Sequence, residues 1–262
     1  MFPLLPFPEV ADFAFFTLVL GRMAGIFSAI PLFGGKSVPA RIKVATVFAM
    51  TLVFFPVVRA KMPQLPADSI SLGLLMIREA LVGLSLGLLS QVIFSAVEFC
   101  GQIIGTQMGF TISALFDPAM GSQASIMSVL QNLLAMLLFM TLGMHHIFIR
   151  AIMESYSLVP VGAWHMSGGL LRFIIATTTG VFILAIKLAA PVMASVLAAT
   201  MALGIMARSF PQMNIFMISF PLNIGLGFLV LGGTLLLFIR TLGGAFSGLD
   251  QQITALFRLL GG

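Results

Sequence analysis

The sequence predicts an all-α protein: several hydrophobic helices that live in a membrane or in an assembly built there. Three observations carry this. Of 262 residues, 60% are hydrophobic and 8% charged, whereas about a quarter of the residues of a soluble globular chain are charged. Mean hydropathy is +1.14. The apolar segments also run continuously, without the in-out alternation of barrel strands, and the length suits about five to seven helices.

The N-terminus, MFPLLPFPEVADF, has no basic n-region and carries Glu9 and Asp12 ahead of the apolar run, so it does not read as a cleaved signal peptide. Its prolines predict an extended arm, with a first helix from near Glu9 to about Ile30. Arg22 falls in the middle of that helix. An isolated arginine there is costly in lipid and needs protein, a carboxylate or water. The Gly/Pro-rich PLFGGKSVP ends the helix. The next block, Val44 to Val58, would reach roughly 22 Å, short of the roughly 30 Å hydrocarbon core. Both of its flanks are basic, so the positive-inside rule returns no orientation.

From Ile70 to Gly109 a single helix would be a rod of roughly 60 Å, about twice the bilayer. Arg78, Glu79, Gln91, Glu98 and Gln102 interrupt its apolar surface, and Arg78-Glu79 reads as a solvated end. Gly101, Gly105 and Gly109 lie four apart on one face as two overlapping GxxxG units, with Gly83 and Gly87 upstream. By themselves they read as a helix-packing seam, since a missing Cβ lets another backbone approach.

Asp117-Pro118 should stop this helix, because a residue before proline is pushed out of the α region. Gly121-Ser122 supplies turn chemistry, and Ser122 or Ser125 could cap the next helix. An ordinary surface turn is one reading. Against it stand Phe110, Leu115, Phe116 and Met120, large apolar residues that a solvated loop has little reason to carry. The stretch Glu98 to Gln131 is polar between two apolar blocks and would be costly in hydrocarbon unless it packed in protein or lined an aqueous path. It is the first candidate for function.

Ser125, Ser128, Gln131 and Asn132 then form a polar stripe for a neighbouring helix or a wet path. Met136, Met140 and Met144 follow in a row, and His145, His146 and Arg150 mark an interfacial helix end. The segment Glu154 to Gly169, with the single Tyr156 and Trp164, reads as an interfacial loop. Leu170 to Ala207 and Met213 to Arg240 predict a helical hairpin, proline-kinked at Pro191 and Pro221, with its tip at Arg208 to Asn214. Lys187 inside its first arm needs a partner or water. The tail from Thr241 is mildly amphipathic and suited to a surface.

The net charge of +5 is spread along the chain, so nucleic-acid binding has no support. Cys100 is the single cysteine and excludes an intrachain disulfide; with His145, His146 and His165 it has no metal spacing. No Ser/His/Asp set, carboxylate pair, HExxH or GxxxxGK[ST] occurs, so no enzyme, cofactor or metal is predicted. A small-molecule secondary transporter is the alternative, supported by the proline-interrupted segments, Arg22 and Lys187, and weakened by the lack of an inverted repeat.

The string ALGIMARSFPQMNIFMISFPLNIGLG, together with GRMAGIF…PLFGGKSVPARIK and EFCGQIIGTQMGF…FDPAMGS in the same order, resembles the FliR/SctT family of type III secretion export-gate subunits, in its flagellar branch. The resemblance implies a FliP-like part over 1–169, a FliQ-like hairpin over 170–240 and a C-terminal tail over 241–262. It implies a closed protein-conducting channel in the bacterial inner membrane at the flagellar basal body. Its partners would be FliP-like and FliQ-like subunits, other export-apparatus membrane proteins, membrane lipid and unfolded flagellar substrates.

Carried over by position, the family's plug falls on about 109–125. Phe110, Leu115, Phe116, Asp117, Pro118, Met120, Gly121 and Ser122 would form it, on the hinge and packing glycines Gly101, Gly105 and Gly109. The assembly tip falls on Arg208, Pro211, Gln212, Asn214 and Pro221.

Overall fold

The computed structural model describes residues 10–30, 38–59, 68–110, 125–164, 167–210, 212 and 214–261. The described residues are helical, with no strand among them. In order, α1 is Val10–Ala29, α2 Ala40–Arg59, α3 Ser69–Gln107, α4 Ile126–Thr141, α5 Met144–Leu158, α6 Gly168–Ser209, α7 Ile215–Gly233, α8 Leu235–Ser247 and α9 Leu249–Gly261. Four of them, α1, α2, α3 and α6, are long and apolar enough to cross a membrane.

One expectation is corrected at α2. The apolar count began at Val44, but Ala40 to Lys43 are helical as well. Twenty residues give about 30 Å, so the helix is long enough to span. The segment after it is one unbroken helix of 39 residues. Asp68 starts it, accepting hydrogen bonds from the Ser71 backbone N–H and hydroxyl at 3.2 Å, as an N-cap carboxylate does.

The chain forms two compact units. The first holds 1–92, 143–177 and 248–262. Here α1 packs on α2 through Phe16, whose ring lies edge-on to Phe48 and Phe55 at 5.5 and 5.7 Å. It meets α3 backbone to backbone: a Cβ at Gly25 would stand 2.5 Å from the Ala80 carbonyl oxygen, and one at Gly83 would overlap the Arg22 carbonyl. Asp12, in the first turn of α1, pairs with Arg59 Nε at 2.7 Å. The guanidinium of Arg59 lies 4.0 Å from the centre of the Phe15 ring.

That close approach lets Arg22 be neutralised inside protein. Its side chain is 0% exposed, and Nε donates to Glu79 Oε2 at 2.6 Å. Nη1 donates to Ser155 Oγ at 3.2 Å, and both terminal nitrogens donate to the Val159 carbonyl at 3.1 Å. The Tyr156 ring lies beneath the guanidinium, 4.1 Å from centroid to carbon. Glu79 Oε1 in turn accepts from the Gly162 N–H at 3.2 Å, while Arg78 donates to the Gly162 carbonyl at 3.3 Å. The arrangement fastens α1, α3, α5 and the turn after α5 together.

Two further expectations are corrected here. Arg78-Glu79 is not a solvated end, because Glu79 is buried as the counter-ion of Arg22. Tyr156 is no interfacial loop residue: it lies in α5 and is 6% exposed, its ring held under a cation. The tail also differs. Its amphipathic pattern becomes α9, whose Leu249, Ile253, Leu256, Phe257 and Leu260 are buried, and the helix packs on α5 where Gly261 meets the Leu158 carbonyl. The apolar stripe is thus consumed within the unit.

The second unit holds 93–142 and 178–247. Its core is built on Phe94, Phe139 and Phe246 from α3, α4 and α8, with ring centroids 5.6 to 5.8 Å apart. Aromatic triads at such spacings add to area burial roughly 0.5–1.5 kcal/mol per pair. The α6 helix continues unbroken past Pro191.

Candidate functional site

The segment singled out in the sequence lies in the second unit, and the structure describes its frame. Residues 111–124 lie outside the described residues, and with them Leu115, Phe116, Asp117, Pro118, Met120, Gly121 and Ser122. Upstream, α3 ends at Gln107, earlier than Asp117-Pro118 requires. The Met108 and Gly109 amides still bond back to Ile104 and Thr106 at 2.9 and 3.1 Å. Gly109 then takes φ +91°, in the positive range where glycine ends helices at least cost.

Three consecutive residues at this end dock on α7. Met108 sits where a Cβ on Gly227 would stand 2.7 Å from its side chain, and Gly109 faces Phe220 at 2.8 Å in the same sense. The Phe110 ring meets Phe228 edge-on at 6.5 Å. Met108 is completely buried.

The downstream side returns to the same helix. A Cβ at Gly101 would meet the backbone nitrogen of Ser128 at 2.6 Å, and one at Gly105 would overlap the Ser125 hydroxyl. Ser128 Oγ donates to the Glu98 carbonyl at 3.0 Å. Next to this contact, the buried Cys100 thiol lies by the Gln131 side chain. The two ends of 111–124 are therefore held on one stretch of α3: the first by its own continuation, the second against Gly101 and Gly105. Small residues every fourth position are what allow it, because a larger side chain would push α4 away.

At the tip between α6 and α7, Arg208, Gln212 and Asn214 are exposed, and Pro221 is exposed inside α7; Pro211 lies outside the described residues. The Asn214 side chain makes no capping bond. Lower on the same arms, Lys187, Leu188, Pro191 and Val192 of α6 line a cleft with residues 231–241 and with Ile104, Gln131 and Leu134. At that level α6 thus faces the junction of α7 and α8.

Sequence reasoning missed Met108, Phe220, Gly227 and Phe228. One signal was available: Phe220 and Gly227 are seven apart and so share a helical face, and the face carries one aromatic and one gap. What that face meets was not readable. Among the described residues no three of His, Cys, Asp and Glu are grouped as a metal site would need.

Comparison with known proteins follows the same stretch. A family described as bacterial export proteins, family 1, matches residues 13–249. The chain is 35% identical to the flagellar biosynthetic protein FliR of Bacillus subtilis (strain 168), covering 84% of this chain and 85% of that one. It is 30% identical to the FliR of Escherichia coli (strain K12) over 79% and 78%. At 27%, the Aquifex aeolicus (strain VF5) FliR still covers 82% and 83%. The match runs through both units, the seam and the hairpin alike, and the chain belongs to the bacterial export proteins of family 1, the family of flagellar biosynthetic protein FliR.

Proposed function

We propose that this chain is the subunit of a flagellar type III export gate that joins FliP-like and FliQ-like subunits in a closed protein-conducting channel, and that residues 109–125 close it. In this reading residues 1–169 take the FliP-like part and 170–240 the FliQ-like hairpin. The site is the bacterial inner membrane at the flagellar basal body, and unfolded flagellar proteins pass. The observation that carries the reading is the frame of the loop. Met108, Gly109 and Phe110 are seated on α7, and Ser125 is seated on Gly105. An apolar segment strung between two such fixed points can fill a lumen without being torn loose, and hydrophobic constrictions close pores by excluding water.

Phe110, Leu115, Phe116 and Met120 supply the stopper in this scheme. Asp117-Pro118 and Gly121-Ser122 turn the chain within it. Gly101, Gly105 and Gly109 are the small-residue mount. Deleting Phe110 to Met120 should raise ion leakage of the complete gate expressed in membranes; unchanged conductance would remove the stopper role. The tip, with exposed Arg208, Gln212, Asn214 and Pro221 and with Pro211, is assigned to assembly. Arg208→Ala or Asn214→Ala should disturb complex formation on native gels, and a normal complex would count against that assignment.

The transporter alternative loses both residues that supported it. Arg22 is spent on Glu79 and Val159, and the cleft at Lys187 measures about 20 Å³, room for one water and no solute.

A further inference from the structure

Lys187 is one charged residue of the second unit for which the described residues offer no ion-pair partner. It lies 19 residues past the start of α6 and 22 before its end, about 28 and 33 Å along the axis. Neither terminus is within reach of a lysine side chain. Around it α6 is apolar and exposed: Ile183, Ile186 and Leu197 are each half uncovered. Lys187 itself is exposed. The ion pairs among the described residues are Arg22–Glu79 and Arg59–Asp12, and Lys187 forms no hydrogen bond with a described residue.

A bare ammonium on an apolar helix face is costly in hydrocarbon, by about 2.5–3.5 kcal/mol or more at mid-span. Where that face lies in hydrocarbon, something must meet it. Gln131 is 1% exposed, lines the same cleft, and has its Oε1 buried without a hydrogen-bond donor. Gln131 Oε1 is thus an acceptor without a donor on the wall of the cleft that Lys187 lines. Lys187 is itself exposed beside an uncovered apolar surface, and the complement of such a face is an apolar surface with one negative charge.

We infer that Lys187 is an intersubunit anchor: it receives the Asp or Glu carboxylate of an apolar helix belonging to a different membrane protein, packed over Ile183, Ile186 and Leu197. This rests on the chain working in a hetero-oligomer, as proposed above, and is independent of the stopper. Lys187→Met leaves that carboxylate desolvated and unpaired, which in buried pairs lowers association on the order of tenfold or more. Lys187→Arg keeps the charge and should retain most of the association.

The test uses the full chain in membranes of cells making the whole apparatus. A hydrophobic, membrane-permeant carbodiimide joins an amine to a carboxylate only when the two are in contact, and peptide mass spectrometry reads the new amide. The expected result is an amide between Lys187 and an Asp or Glu of a second kind of polypeptide, with the co-purified partner falling at least tenfold in Lys187→Met and less than threefold in Lys187→Arg. Acylation of Lys187 by a membrane-impermeant ester would show that it meets water, and would overturn the inference. So would an amide to Glu98 of another copy, the absence of any modification, or Lys187→Met co-purifying partners within twofold of the parent. A chain that migrates alone on native gels removes the hetero-oligomer reading as well; a hetero-oligomer with acylated Lys187 removes the anchor only.

Discussion

Glu79→Gln isolates the most consequential polar interaction in the first unit. The substitution keeps the shape of the side chain and removes its charge, so the Arg22 guanidinium stays at 0% exposure with the Val159 carbonyl, Ser155 and Tyr156 as its remaining neighbours. Removing one member of a buried ion pair costs about 3–5 kcal/mol, because the other charge is left uncompensated. That compares with a total folding stability of about 5–15 kcal/mol. With about 2–4 °C of midpoint per kcal/mol for a chain of this size, the thermal midpoint in detergent should fall by roughly 6–20 °C.

The double variant Arg22→Met/Glu79→Leu replaces the pair by apolar side chains, a change that is often neutral or stabilising. It should recover most of the loss, and the cycle should return a coupling of several kcal/mol between residues 57 positions apart. A shift of less than 3 °C for Glu79→Gln would refute this reasoning. So would a double variant whose loss equals the sum of the two single losses.

Gly101→Ala places a Cβ against the Ser128 backbone, which cannot move without displacing α4; a loss of about 1–3 kcal/mol is expected, read as the thermal midpoint of the purified chain. Gly227→Leu drives a side chain into Met108 and should unseat the upstream end of 111–124. Ion conductance of the assembled gate should then rise toward that of the Phe110 to Met120 deletion, and a parental conductance with Met108 displaced would argue against α7 as the seat. The deletion itself should leak ions, and Arg208→Ala should weaken assembly while leaving the thermal midpoint of the isolated chain within a few degrees, since Arg208 is exposed.

Much of this molecule was legible in its residues. Continuous apolar runs place helices, because a chain in hydrocarbon has to satisfy its backbone locally. An arginine in the middle of such a run demands a partner for the same reason, and glycines every fourth residue announce a close neighbour. The family is legible too, since its motifs are short strings in a fixed order.

Which partner and which neighbour were decided elsewhere. Glu79 is 57 residues from Arg22, and beside Arg78 it looked like a solvated pair. Only the crossing of α1 over α3, close enough that Gly83 meets the Arg22 backbone, turns it inward. The Val159 carbonyl has no side-chain signature at all. Tyr156 reads as an interfacial aromatic until α5 carries it under a guanidinium, and the tail's apolar stripe suits a membrane surface equally well until α5 covers it. Composition and spacing determine what each segment must bury or neutralise, since those costs are local. Tertiary packing alone chooses what answers them, because burial and pairing depend on distances between residues far apart in the chain.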